Sequence, residues 1–164
     1  RECEEMKTIN ILKLVASIIL CQLAGLIGSI FTTPAITTWY ESLKKPFFSP
    51  PNWIFGPVWV SLYLMMGISL FVICQRRENN LQAKKGLILF FIQLILNAFW
   101  SVAFFGLKSP FLGLINIILL WVAIFFTIQY FFKISKIAAL LLLPYLLWVS
   151  FAVVLNFSLW ILNM

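Results

Sequence analysis

The chain has 164 residues, of which 63% are hydrophobic and only 10% are charged, and its formal net charge at pH 7 is +7. Its mean hydropathy is +1.03. These values exclude the ordinary composition of a soluble globular domain and indicate an integral membrane protein.

Five apolar stretches are each long enough to cross a bilayer as a helix, which takes about 20 residues. They cover residues 11–31, 54–75, 86–106, 110–132 and 137–162. None alternates as membrane β-strands do, and backbone groups in lipid must be hydrogen-bonded internally. We therefore predict an all-α integral membrane protein, a five-transmembrane-helix bundle that forms one domain over residues 11–162.

The start of the chain, residues 1–10, is predicted to be a short N-terminal tail. Met6-Lys7 resembles a natural start, so residues 1–5 are interpreted as an extension. The first apolar stretch is long for a signal peptide and no A-x-A cleavage site follows it. A retained first helix is therefore favoured over a signal peptide.

Charged residues fall at the ends of the apolar stretches and not in their middles. With five spans, nine lysines and arginines lie on the N-terminal side, whereas Lys44, Lys45 and Lys108 lie on the other. The positive-inside rule then predicts a cytoplasmic N terminus, with the first loop and the C terminus outside. This topology explains the basic charge, so no nucleic-acid partner is indicated. No organelle-targeting segment is evident, which favours a prokaryotic cytoplasmic membrane.

The residue types that build most metal and acid–base sites are scarce in this sequence. There is no histidine, and Cys3, Cys21 and Cys74 have no metal-ligand spacing. Histidine is the commonest metal ligand and general base. We therefore expect no metal site, and an odd number of cysteines predicts no disulfide framework.

The connection between the first two apolar stretches, residues 32–53, is unusual for a loop. It runs into "WYESLKKPFFSPPNWIFGPVW" (39–59), which holds four prolines, three tryptophans and three phenylalanines. Prolines fix the backbone, and a surface linker would not hold so many large rings. Pro57 is predicted to lie in the first turn of the following helix, where its missing N–H does little harm.

The first predicted helix carries small residues at steps of three or four along one face. They are Ser17, Cys21, Ala24, Gly25, Gly28 and Thr32. Such faces let helices approach closely. Packing inside the bundle is the favoured interpretation, and a dimer seam is the alternative.

Polar and aromatic residues share faces on two later helices. The third helix places Gln93, Asn97, Ser101 and Phe104 on one face, and the fifth places Tyr145, Trp148, Ala152 and Asn156 on another. Polar groups facing lipid are costly, so these faces are predicted to point inward. For Gln93 and Asn116, a structural hydrogen bond between helices is the favoured role. Pro144 is expected to kink or loosen the fifth helix.

Three blocks of the chain resemble the translocator protein family, also called the tryptophan-rich sensory proteins (TspO/MBR). The pattern W-Y-x-x-L-x-K-P-x-x-x-P-P-x-W-x-x-x-P-x-W-x-x-L-Y-x-x-M-G is matched from Trp39 to Gly67. "LNAFWSVAFFG" and "LLPYLLWVSFAVVLN" resemble the family's third and fifth helices. The resemblance covers nearly the whole chain.

This resemblance implies a five-helix bundle, often a homodimer, with an aromatic ligand pocket beneath the first loop. By position, the ligand-binding residues would be Trp39, Tyr40, Pro51, Trp59, Tyr63, Asn97, Trp100, Trp148 and Ala152. The loop would act as a lid, stiffened in advance so that little entropy is lost on binding.

The ligand implied by the resemblance is a tetrapyrrole, protoporphyrin IX or haem, and no cofactor is required. Lys44, Lys45 and Lys108 lie on the predicted side where its propionates would need cations, although lysine snorkelling is the favoured role for them. Without a histidine ligand, metal-free porphyrin is favoured over haem. Sterol binding is in doubt, because Phe157 stands where animal members have a tyrosine and no basic residue follows it.

Three functions follow as hypotheses from the resemblance. The first is a membrane-embedded tetrapyrrole-binding protein that acts as a sensor, scavenger or regulator. The second is an enzyme that degrades porphyrin with light and oxygen, for which Trp59 and Trp148 match the implicated tryptophans. The third is a transporter of flat apolar ligands, although the spans hold no ionisable group of the kind that proton-coupled pumps use.

Overall fold

A computed structural model describes the backbone of residues 2–76 and 80–164, and the side chains of these ranges from Met6 onward. The proposed extension is therefore described only as backbone, and Arg1 and Arg77, which counted toward the predicted topology, lie outside the described residues. The helices are α1 (Glu2–Ile36), α2 (Trp39–Ser42), α3 (Asn52–Cys74), α4 (Leu81–Ser101), which continues into a π-helical turn (Val102–Gly106), α5 (Pro110–Phe132) and α6 (Lys136–Leu162).

The predicted fold class is confirmed. Within the described residues, five helices are long and apolar enough to cross a membrane, and none of these residues forms a strand. The long helices form a closed ring, in which α1 packs on α3, α3 on α6, α6 on α5, α5 on α4, and α4 on α1. Some helices that are neighbours in the bundle, such as α3 and α6, are not consecutive in the chain, so packing as well as chain order determines their arrangement.

Several helices begin earlier or end later than predicted. Residues 2–10, expected as a tail, belong to α1, and α1 continues to Ile36, well into the expected loop. Since α3 begins at Asn52, Pro57 falls in its second turn and not in its first. The start of α4 is set by a cap, because the Asn80 side chain accepts hydrogen bonds from two backbone N–H groups of the first turn.

The fifth span stays helical through its proline. α6 is one continuous helix from Lys136 to Leu162 with Pro144 inside it. In lipid, an uninterrupted helix keeps nearly every backbone group bonded, and neighbouring helices can support a proline. The kink or loosening expected at Pro144 does not interrupt the helix.

The small residues of α1 pack within the chain. The Tyr63 ring of α3 lies directly against Gly25, and the Ser101 hydroxyl of α4 would lie 2.8 Å from a Cβ placed on Gly28. From the other side, a Cβ on Gly67 of α3 would lie 2.5 Å from Cα of Ile18. These contacts agree with packing inside the bundle, the favoured interpretation of the α1 face.

Gly67→Ala is expected to lower the free energy of unfolding by about 1–3 kcal/mol, because backbone on α1 leaves no room for the added carbon. Thermal unfolding in detergent measures the effect. Gly56→Ala is the matched control, because a Cβ there meets no described atom within 4 Å. Equal melting temperatures for the two variants would contradict the close α1–α3 contact.

Candidate functional site

A cavity of about 490 Å³ lies among α1, α2, α3, α6 and the end of α4. Its lining is mostly apolar and aromatic, and none of the described residues of α5 contributes to it. Each contributing helix is represented by residues on one face, which are Gln22, Gly25, Leu26, Gly28, Ser29, Thr32, Thr33 and Ile36 from α1, Tyr40 from α2, Asn52, Trp53, Phe55, Gly56, Trp59, Val60 and Tyr63 from α3, Asn97, Trp100, Ser101, Phe104 and Phe105 from α4 and its π-helical turn, and Trp148, Ala152, Leu155, Asn156 and Leu159 from α6.

The structure brings together most of the residues predicted to bind ligand. Tyr40, Trp59, Tyr63, Asn97, Trp100, Trp148 and Ala152 all line the cavity. Trp39 and Pro51 do not. Trp39 precedes Tyr40 on α2, and neighbours in a helix point about 100° apart, so its ring packs edge-on against Phe104 with centroids 5.5 Å apart. Pro51 is exposed at the start of α3, where it precedes Asn52 of the lining.

Two pairs of stacked rings form part of the aromatic lining. Trp59 stacks on Tyr63 with centroids 5.6 Å apart, and Trp100 stacks on Phe104 with centroids 5.2 Å apart. Trp148 contacts Phe55 edge-on at 6.1 Å. Because each large ring is held by another, the walls are stiff and present flat apolar surface.

The tryptophans of the lining differ in their polar atoms. The Trp100 indole N–H donates to Oδ1 of Asn156 at 3.2 Å, and Asn156 in turn donates to the Pro110 carbonyl at 2.7 Å. Trp100 is therefore fixed by the protein. No described group accepts a hydrogen bond from the indole N–H of Trp59 or Trp148, so these two donors are free for a ligand.

The roof of the cavity depends on the π-helical turn. A π-turn holds one more residue than an α-turn, and here it buries both Phe104 and Phe105. The Tyr40 ring rests between them, with centroid distances of 6.2 Å and 5.7 Å. The loop therefore docks through Tyr40 on two buried rings that the π-helical turn supplies.

A lysine ammonium group lies over the Tyr40 ring that covers the cavity. Nζ of Lys45 lies 4.6 Å from the centroid of the Tyr40 ring, a cation–π contact. Burial raises the pKa of the Tyr40 hydroxyl, and the neighbouring Ser49 hydroxyl lowers it by less. Tyr40 is therefore neutral at physiological pH and keeps a proton to donate.

Asn163, just after α6, fastens the loop to the bundle. Its Oδ1 accepts a hydrogen bond from the Lys44 backbone N–H at 2.9 Å, and its Nδ2 donates to the Lys44 carbonyl at 3.0 Å. Nδ2 also donates to the Leu159 carbonyl at 2.8 Å. We call this pair of bonds between Asn163 and Lys44 the latch.

Some lining residues were not predicted as part of the site. The α1 residues were recognised only as a small face for packing, and that face both packs and lines the cavity. Gln22 donates to the Val60 carbonyl at 3.0 Å and so joins α1 to α3 beside the cavity. Phe105 could not be placed, because helical spacing does not reveal a π-turn.

A family model described as the TspO/MBR family matches residues 17–161 of the chain, which include every residue that lines the cavity. The chain belongs to the TspO/MBR family. It is 49% identical to the tryptophan-rich protein TspO of Archaeoglobus fulgidus over 94% of the chain and 99% of that protein. It is 46% identical to the protein of that name from Chlorobaculum tepidum, over 94% of the chain and 98% of that protein.

More distant members of the TspO/MBR family include animal proteins. The human translocator protein is 35% identical over 82% of the chain and 80% of that protein. These matches and the five long apolar helices identify an integral membrane protein of the TspO/MBR family.

Proposed function

We propose that this TspO/MBR protein binds a flat tetrapyrrole, protoporphyrin IX or haem, in the cavity, and acts as a sensor, scavenger or regulator. The observation that carries the proposal is the convergence of Trp59, Trp100 and Trp148 on one cavity roofed by Tyr40. Aromatic walls stack favourably on a broad π surface. The cavity volume of about 490 Å³ lies within the usual range for small-molecule sites.

The polar groups around the cavity suit the rest of such a ligand. The ammonium of Lys45 sits over the Tyr40 ring, near the point where a propionate would leave an apolar pocket. The free indole N–H groups of Trp59 and Trp148 add donors within the lining. Since the sequence has no histidine to supply the usual axial ligand, metal-free porphyrin is favoured over haem.

Topology and assembly extend the proposal. We propose that the N terminus is cytoplasmic and that the loop with Tyr40 faces outward, in a prokaryotic cytoplasmic membrane. This placement follows the distribution of lysine and arginine. A homodimer, as the family resemblance implies, remains a prediction.

Titration with protoporphyrin IX in the dark, followed by tryptophan quenching in detergent, tests binding. Saturable binding is expected, and Trp148→Phe should weaken it about tenfold through lost stacking surface. Trp160→Phe is the matched control, because Trp160 packs on Phe111 and does not line the cavity. Unsaturable binding that neither variant alters would count against the proposal.

A second candidate function is light- and oxygen-dependent degradation of the porphyrin. The observation that favours it is the position of Trp59 and Trp148 on the cavity surface, where their oxidisable rings would meet the ligand. Illumination of the complex in air would then bleach the porphyrin absorption band. Bleaching that slows in Trp59→Phe and Trp148→Phe but not in Trp160→Phe would establish porphyrin degradation. An absorption band that stays stable under light would support binding without degradation.

A further inference from the structure

A chain of hydrogen bonds joins α3, α4 and α6 beside the cavity. The Tyr63 hydroxyl donates to Oδ1 of Asn97, and Nδ2 of Asn97 donates to the Tyr145 oxygen at 2.7 Å. The Tyr145 hydroxyl donates to Oε1 of Gln93 at 2.8 Å. The chain ends where Nε2 of Gln93 lies 3.9 Å from Sδ of Met66.

Every bond in this chain runs in the same direction, and Met66 sets that direction. A thioether sulfur has lone pairs and no proton, so it turns the amide nitrogen of Gln93 toward itself and the amide oxygen toward Tyr145. The Tyr145 hydroxyl donates its one hydrogen to the Gln93 oxygen and accepts a hydrogen bond from Nδ2 of Asn97. The oxygen of Asn97 then faces Tyr63, which must donate.

Burial makes the direction hard to reverse. Met66, Gln93, Asn97 and Tyr145 are each at most 4% exposed. Reversal would leave a buried group without a partner, which costs about 1–3 kcal/mol. Neighbouring bonds in such a chain also strengthen one another.

We propose that this chain holds Tyr63 as a hydrogen-bond acceptor toward the cavity, beside the indole donors of Trp59 and Trp148, an inference that rests on the proposed ligand-binding function. Tyr63 lines the cavity and its hydroxyl hydrogen is engaged in the hydrogen bond to Asn97, so its oxygen can only accept a hydrogen bond from a ligand. A ligand that presents a hydrogen-bond donor to Tyr63 is therefore favoured; in a metal-free porphyrin the inner N–H groups reach such an acceptor by tilting out of the ring plane. Gln93, Tyr145 and Met66 lie outside the lining and act as positioning residues.

The test removes the far end of the chain and reads the hydrogen bonding of Tyr63 together with Tyr145, the two tyrosines that remain when Tyr40 and Tyr130 are replaced. In Gln93→Leu, the Tyr145 hydroxyl loses its acceptor and can donate to Oδ1 of Asn97 instead. The Asn97 amide then flips, so that its Nδ2 donates to the Tyr63 oxygen. Tyr63 thereby becomes an acceptor, and its own hydroxyl hydrogen is left without a partner in the chain. The tyrosine doublet in the Raman spectrum reports such a change, measured without ligand in a Tyr40→Phe, Tyr130→Phe background. It is expected to move toward the acceptor pattern.

Binding supplies the second measurement, with protoporphyrin IX and its nickel(II) complex, which lacks inner N–H groups, as the two probes. The parent protein is expected to prefer the metal-free probe about fivefold, the scale of one hydrogen bond. The preference should disappear in Gln93→Leu. The matched control is Asn116→Leu, which removes another buried amide, bonded to the Leu96 carbonyl at 2.9 Å and separate from the chain.

Met66→Leu conserves side-chain volume and removes the sulfur that orients the Gln93 amide, so that the amide can flip. This variant replaces Gln93→Leu in the test if Gln93→Leu does not fold. A shift of the doublet and of the probe preference in these variants, but not in Asn116→Leu, supports the inference. An unchanged doublet overturns it while leaving binding itself in place. Equal affinity of the parent protein for both probes overturns the ligand preference, and failure of both probes to bind refutes the proposed function instead.

Discussion

Replacing Ala152 with leucine is expected to weaken protoporphyrin IX binding by about 10- to 100-fold. Ala152 lies in the lining, on α6 between Trp148 and Asn156 at helical spacing, and its small side chain leaves a notch beside the Trp148 ring. Three added carbons would occupy the space of a flat ligand, and overpacking of this kind costs about 1–3 kcal/mol or more. Tryptophan quenching by the porphyrin in the dark measures the affinity.

The same substitution at Ala98 is the control for a general effect on the bundle. Ala98 lies on α4, is half-buried and does not line the cavity. Ala98→Leu should retain binding, and both variants should keep helical circular dichroism. Full affinity in Ala152→Leu would show that the ligand binds elsewhere.

Opening the latch is expected to speed ligand release by about tenfold. Asn163→Ala removes both hydrogen bonds that hold the Lys44 backbone, each worth about 0.5–1.5 kcal/mol. The loop would then leave the Phe104–Phe105 pair more often, and the roof over the cavity would open. Stopped-flow measurement of porphyrin dissociation reads the rate, and trypsin should cut after Lys44 sooner.

A matched asparagine at the other end of the bundle provides the control for the latch. Oδ1 of Asn10 accepts a hydrogen bond from Gln75 at 2.8 Å, far from the loop. Asn10→Ala should change neither the dissociation rate nor cleavage after Lys44. If Asn163→Ala behaves like Asn10→Ala, the loop is held by its ring contacts and not by the latch.

Much of the fold could be predicted because the bilayer imposes simple rules on sequence. Apolar length and the position of charges were enough to find the five spans, and the Pro110–Phe132 helix matches its predicted bounds. Helix ends were less accurate, because a cap such as Asn80 extends a helix into polar sequence. The ring order α1–α3–α6–α5–α4 depends on packing between distant segments, which composition does not specify.

The site was predictable where helical spacing alone decides which residues share a face. Tyr145, Trp148, Ala152 and Asn156 were expected together on the fifth span, and the last three line the cavity. Phe105 was missed because the π-turn breaks helical spacing. Gln93 was expected only as a structural bond between helices, since its place in a directional chain needs the positions of Met66 and Tyr145 in three dimensions.

An experimental structure of the protein with protoporphyrin IX bound tests whether this cavity is a tetrapyrrole site. The porphyrin is expected inside the cavity, against Trp59 and Trp148 and beneath Tyr40. A porphyrin bound to the lipid-facing surface of the helices, with the cavity empty, would contradict this expectation.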